Sequence, residues 1–445
     1  MLALSMRSVR RRPGRFTAML LSATVGAAVI MAFNSLHDVA AAPGVDSASS
    51  EILTIAAAIV GGYGTLLVFI SIASTLTVNV RQRSEEIKLL RSAGATPLQI
   101  KLMLVGEAAL IAVAAVVLAV GPAMLGGRAL LEMFQETGQV AAGVEYAFGP
   151  IGLGAGVGST LLASVGAAFM AVRRATRAAS GTDRANRGRR RSLLGIAALV
   201  LGTGSVLTTL TLDETEPAAM APAAYGSILI AFGLALFAPS MVGGAMAAFE
   251  GMLARTGGSG HLSAHNLRRR ASEMSGVLMP MILFVGLSFG TLYMQAVEND
   301  ALAASGAAKT VEDKNLETMN LVVVGIIAVF ACIMLVNSLY AAVSYRGGEF
   351  GRQRLAGATP GQVLGMVGIE GVVLTVVGVA LGSVAGIAGI LPFAALRTDS
   401  MLPDQGPGMW IGIAAVAALA TLATGLGTAR KALRTPAVDA VGLAA

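Results

Sequence analysis

The sequence predicts an all-α integral membrane protein of ten transmembrane helices: two parallel four-helix repeats joined by two linker helices. Three observations carry that prediction. The chain is 55% hydrophobic and only 13% charged, with a mean hydropathy of +0.74, whereas a soluble domain carries roughly a quarter charged residues. Ten apolar runs are long enough to cross a hydrocarbon core, which takes about 20 helical residues at about 1.5 Å each. One peptide also occurs twice, 263 residues apart.

The runs lie near residues 16–33, 51–80, 102–127, 150–172, 193–212, 223–249, 276–297, 318–343, 363–393 and 409–429. The first follows Arg10, Arg11, Arg12 and Arg15, a pattern that a cleaved export signal also shows. His265-Asn266-Leu267-Arg268-Arg269-Arg270 precedes the seventh run in the same way, so a retained helix is expected. The second and third runs flank the first copy of the repeated peptide. The fourth ends in Arg173-Arg174-Ala175-Thr176-Arg177. After a basic, small-residue linker from Ser180 to Arg191, runs five and six bring the chain back to the same side. Runs seven to ten then repeat one to four, the tenth ending in Arg430-Lys431-Ala432-Leu433-Arg434. The expected domains are 1–180, 181–260 and 261–445, and the two repeats share one orientation about an axis along the membrane normal. Runs longer than about 20 residues must tilt or extend beyond the lipid, and Pro122 and Pro392 are candidate kinks.

Charge sets the orientation. With the N-terminus inside, the inner segments hold 28 of the 32 Lys and Arg residues, leaving Arg128, Lys309, Lys314 and Arg397 outside. The excess of cationic residues on cytoplasmic segments places both termini there. These charges are spread over six inner segments, which reads as topology signals beside anionic lipid and not as a nucleic-acid partner. Acidic residues such as Asp213, Glu214, Glu216, Glu312 and Asp313 fall outside. The longest outer segments, 128–149 and 298–317, are too short to bury a core of their own. No large extracytoplasmic domain is therefore expected.

The duplicated peptide has a local physical logic. Residues 86–107 and 349–370 match at ten of 22 positions without a gap. Residues 81–93 read as a polar helix carrying Glu85, Glu86, Lys88 and Arg91. Gly94 suits the left-handed residue that ends a helix. Ala95 follows, then Thr96, Pro97 and Gln99 complete a T-x-x-Q capping box that starts a new helix. The second copy keeps Glu349, Arg354, Gly357, Ala358, Thr359, Pro360 and Gln362, and carries Arg352 as well. It has Gly347-Gly348 in place of Ser84-Glu85 and Gly351 in place of Lys88, so its helix is intrinsically weaker. A polar helix held beneath the bilayer in each half is a docking surface.

Catalytic chemistry is not legible. No G-x-x-x-x-G-K-[ST] occurs. His37, His261 and His265 are scattered, Cys332 is the single cysteine, and no metal site is expected. Ser35, His37 and Asp38 are close in the chain, which is not catalytic geometry. Glu107 and Glu370 fall inside apolar runs, near the cytoplasmic face. They read as structural partners for an arginine or for backbone groups, with an ion site as the alternative.

The segment E-I-x-L-L-R-S-A-G-A-T-P-x-Q-I, followed by an apolar helix with an early Glu, resembles the FtsX-like permease domain of MacB-type ABC transporters. The second copy, E-F-x-R-Q-R-L-A-G-A-T-P-x-Q-V, is a looser match, and the resemblance covers roughly residues 5–180 and 262–440. It implies a transport subunit of the bacterial cell membrane, not an enzyme. Two copies of a separate cytoplasmic ABC ATPase would bind ATP and Mg and grip coupling helices at 81–95 and 344–358. A hydrophobic or amphipathic substrate (a peptide antibiotic, lipid or lipopeptide) would be exported or extracted. The chain departs from such permeases in having only residues 34–50 and 298–317 where they carry a large extracytoplasmic domain. Two other classes stay open: an ion-coupled secondary transporter using Glu107 and Glu370, and a regulator passing ATPase motion to a cell-envelope partner.

Overall fold

A computed structural model describes residues 17–58, 89–90, 92–178, 184–213, 219–254, 258–304, 306, 310–344, 346–398 and 406–442. Its principal helices are α1 (Thr17–Ala40), α2 (Pro97–Glu136), α3 (Pro150–Ala178), α4 (Arg184–Thr208), α5 (Met220–Ala254), α6 (Gly258–Ala304), α7 (Val311–Ser344), α8 (Gly347–Leu355), α9 (Pro360–Arg397), α10 (Gly408–Leu433) and α11 (Ala437–Gly442). Among the described residues there is no strand.

Seven helices are long and apolar enough to cross a membrane, and they fall on expected runs one, three, five, six, seven, nine and ten. Runs four and eight are helical, with apolar segments Pro150–Gly166 and Cys332–Ser344 among the described residues. The second run is helical over 51–58, and 59–80 lie outside the described residues. The described chain thus carries seven membrane-length helices where the sequence predicts ten. Pro122 and Pro392, and also Pro280, sit inside helices that do not terminate at them.

The chain divides into two compact units, residues 1–184 with 308–330, and residues 185–307 with 331–445. In the first, α1, α2 and α3 pack against one another. Met19 and Ala23 of α1 meet Ile100 and Leu104 of α2, while Phe33 and Leu36 meet Leu131 and Phe134. The two helices therefore run in the same direction, as the first and third spans of a repeat should. At the far end the chain reverses through 137–149. Gln135 donates to the carbonyls of Ala141 and Val144 at 3.2 and 2.9 Å. Asp38 accepts from the amides of Ile151 and Gly152 at 3.0 and 2.7 Å, satisfying donors that the first turn of α3 leaves open.

In the second unit α9 packs against α6, α5 and α10, and α5 packs against α6. The α6–α9 contact follows a glycine stripe. A Cβ built on Gly382 would lie 2.6 Å from the Val285 Cβ and 3.0 Å from the Gly286 amide. One on Gly386 would lie 2.6 Å from Phe289; where α9 turns to α5, one on Gly389 would lie 2.8 Å from the Ala223 carbonyl. Small residues let helix backbones approach where lipid supplies no hydrophobic drive for association. Shifted by the repeat offset, α2 has Ala115, Ala119, Ala123 and Gly126, and the three alanines are fully buried. The first repeat thus admits one methyl at positions where the second admits none.

Gly382→Val should therefore cost about 3 kcal/mol or more through overpacking and backbone displacement. Ala119→Gly in the first repeat should cost about 1 kcal/mol, the ordinary helix-interior penalty. Thermal unfolding of the purified variants in detergent checks the ranking; equal losses would contradict the packing account.

Candidate functional site

The repeated peptide folds into the same break in both units. In the second, Gly357 has a φ of +99°, which a residue with a Cβ rarely adopts. The amide of Ala358 donates to the Gln353 carbonyl at 2.9 Å and that of Gly357 to the Arg354 carbonyl at 3.1 Å. These paired bonds close the last turn of α8 as a Schellman motif. Thr359 then starts α9: its side chain accepts from the Gln362 amide at 3.3 Å, and its own amide donates to the Gln362 side chain at 2.8 Å. In the first unit Gly94 has a φ of +91° and the amide of Ala95 donates to the Leu90 carbonyl at 2.9 Å. Thr96 and Gln99 exchange the same pair of bonds at 3.3 and 2.9 Å.

Helix α8 has a buried and an open side. Phe350 and Gly351 are buried, and the helix packs against α11 and α10. Arg354 donates from Nη1 to the carbonyls of Leu433 and Thr435 at 3.3 and 2.8 Å. That places a cation on the last carbonyl of α10 and on the turn just beyond it, where the helix dipole favours positive charge. Arg352, Leu355, Gly357 and Thr359 are exposed, Glu349 and Ala358 half-buried. In the first copy Leu89, Ser92, Gly94, Thr96 and Leu98 are exposed and Ala95 is half-buried. Glu85, Glu86, Lys88 and Arg91 lie outside the described residues.

Above the break in the second unit lies a buried charge cluster. Arg346, between α7 and α8, is 3% exposed, and Glu370, on the third turn of α9, is 6% exposed. The guanidinium meets both carboxylate oxygens of Glu370, Nη1 facing Oε2 and Nη2 donating to Oε1 at 3.0 Å. Its Nε donates to Glu349 of α8 at 3.2 Å, and its centre lies 5.2 Å from the Phe350 ring. Burial alone would lower the Arg346 pKa, but the charges of Glu370 and Glu349, with their hydrogen bonds, raise it. A narrow, mainly apolar cleft between α7, α9 and α10, lined by Val343, Val367, Leu374 and Leu422, reaches this pair.

Arg346 is absent from the residues singled out by sequence. The signal that could have found it is the repeat extended three residues toward the N-terminus: Arg83 stands 263 residues before Arg346, as Glu107 stands 263 before Glu370. Glu107 is 3% exposed on α2, beside the Ile100, Leu104 and Ala108 core. The Ser35, His37 and Asp38 group is taken up structurally: Asp38 caps α3, and the Ser35 hydroxyl bonds that of Tyr146 at 3.0 Å. Among the described residues no three His, Cys, Asp or Glu side chains converge as metal ligands.

A family model described as FtsX-like permease C-terminal matches residues 58–178 and 321–437, more than half of the chain. Each segment contains one copy of the break and one of the two buried carboxylates. No curated protein matches the chain.

Arg346→Met and Glu370→Met should each lower stability by about 3–5 kcal/mol, because each leaves one buried charge uncompensated. The double variant should recover most of that loss, since a well-packed apolar pair often replaces a buried ion pair at little cost. A double-mutant cycle by thermal unfolding measures the coupling; strict additivity would show that the pair contributes nothing jointly.

Proposed function

Because this chain belongs to the FtsX-like permease family, we propose that it is the membrane subunit of an ATP-driven exporter in the bacterial inner membrane, with both termini cytoplasmic. Members of this family are permease subunits of ABC transporters, with ATP hydrolysis in a separate partner, and the apolar helices make this a multi-pass membrane protein. The observation that carries the finer reading is the break itself. Both units present a Gly-terminated helix turn and a Thr-Gln capping box at one place in the repeat. A short helix held rigidly at a membrane edge, with one side open, suits docking by a soluble subunit.

In this reading two ABC ATPase subunits, each carrying ATP and Mg, grip the two coupling segments of one chain. The contacting positions are Glu85, Glu86, Lys88, Arg91 and Gly94 to Thr96 in the first copy. In the second they are the exposed side of α8, centred on Arg352 and Leu355, and the turn from Gly357 to Thr359. Glu349 and Arg354 act from within, since they engage Arg346 and the end of α10. Glu370 is committed to a bidentate arginine, which favours a structural role over ion coupling. The substrate class is hydrophobic or amphipathic: α2, α4 and α9 present large apolar side chains such as Leu118, Leu201 and Val376 on their open faces. A peptide antibiotic, lipid or lipopeptide fits such surfaces, as for MacB-type permeases.

Native mass spectrometry of the chain purified with its ATPase should show two ATPase subunits per chain; one per chain would contradict the assignment. Arg352→Glu should weaken ATPase binding about tenfold, or about 1.4 kcal/mol, without shifting the melting temperature. Arg354→Glu should lower the melting temperature, because it puts a carboxylate on the carbonyl end of α10.

A further inference from the structure

We propose that Arg346 is a positioning residue that fixes α8 to α9 as one rigid lever, so that a push on α8 reaches the membrane part of the second repeat through the Arg346–Glu370 pair. The inference rests on the docking role proposed for α8 and adds the route by which displacement leaves it.

Three observations carry it. First, α8 is nine residues long and begins Gly347-Gly348. Such a helix is marginal without tertiary support, and the Gly357–Thr359 turn joins it to α9 through exposed backbone that fixes only local geometry. A lever therefore needs ties beyond the turn. Second, Arg346 supplies one at depth. Glu370 stands ten residues after Pro360, about 15 Å along the α9 axis, so the tie grips α9 well beyond the hinge. The same guanidinium holds Glu349 of α8 and lies near Phe350, the buried aromatic of that helix. Arg354, at the other end of α8, ties it to the last carbonyl of α10 and to Thr435 just past it. Third, a buried ion pair is a poor stability device, since apolar residues of similar volume often serve equally well. What the arginine adds is direction: a planar fork with its donors fixed on two elements resists shear as an apolar contact does not.

The test uses spin labels on cysteines replacing Ala356 and Ile387, both exposed, one at the C-terminal cap of α8 outside the proposed contact and one on the distal half of α9, in a Cys332→Ala background. The distance is measured in the ATPase complex, nucleotide-free and trapped with ATP and vanadate. With Arg346 and Glu370 intact it should not change on trapping. In the Arg346→Met/Glu370→Met double variant it should shift by about 5 Å, the scale of one helical turn. Arg346→Lys, which keeps the charge and loses the fork, should broaden the distribution on trapping. A shift in the otherwise unsubstituted protein overturns the lever. So does an unchanged distance in the double variant, an unbroadened one in Arg346→Lys, or failure of both variants to insert, since the pair would then serve folding alone. Absence of ATPase binding to the unsubstituted chain would overturn the docking role and the lever with it, whereas binding accompanied by any of the other results overturns the lever alone.

Discussion

A helix that ends at a membrane edge leaves carbonyls without partners, and the helix that follows leaves amides in the same state. Both cost free energy wherever water is scarce. This chain meets that constraint twice with one solution. A glycine at positive φ lets the ending helix fold its last amides back onto its own carbonyls, and a threonine and glutamine then exchange bonds across the first turn of the next helix. With the backbone satisfied locally, the side chains around the break are free for other uses. Arg354 can close α10, Glu349 can orient Arg346, and Arg352 and Leu355 can remain open. Most of what makes α8 a candidate docking element follows from the break being self-sufficient.

The membrane part of each unit is built to be stiff. In the second, Gly382, Gly386 and Gly389 bring α9 against α6 and α5 at distances that exclude even a methyl group. In the first, buried alanines occupy the same register. Close backbone packing of this kind transmits displacement because it has few alternative arrangements. The buried Arg346 joins Glu349 of the short polar helix α8 to Glu370 of that close-packed α9.

Local features were the most legible in the sequence. Gly94 and Gly357, Thr96 and Thr359, and Gln99 and Gln362 could be read as caps because their partners lie within five residues. The family was legible for the same reason, since its signature is that turn. Long-range pairings were not. Nothing in the spacing of Arg354 announces the end of α10 about 80 residues on, and Asp38 gives no hint that it caps a helix starting at Pro150. Glu370 was visible as a carboxylate in an apolar run, but its partner lies 24 residues earlier, in a junction that composition does not distinguish. Of the ten expected spans, seven fall on membrane-length helices among the described residues, and 59–80 of the second lie outside them.

In the proposed function, the open side of this repeated element receives an ATP-hydrolysing subunit. Cysteine cross-linking tests it most directly. Single cysteines replacing Leu89 and Leu355, one in each copy and both exposed, are placed in a Cys332→Ala background and compared with one at Val416, exposed on α10. Cross-links should form from the first two positions to a nucleotide-hydrolysing subunit in native membranes, and none from Val416. Cross-linking from Val416 but from neither Leu89 nor Leu355 would contradict it.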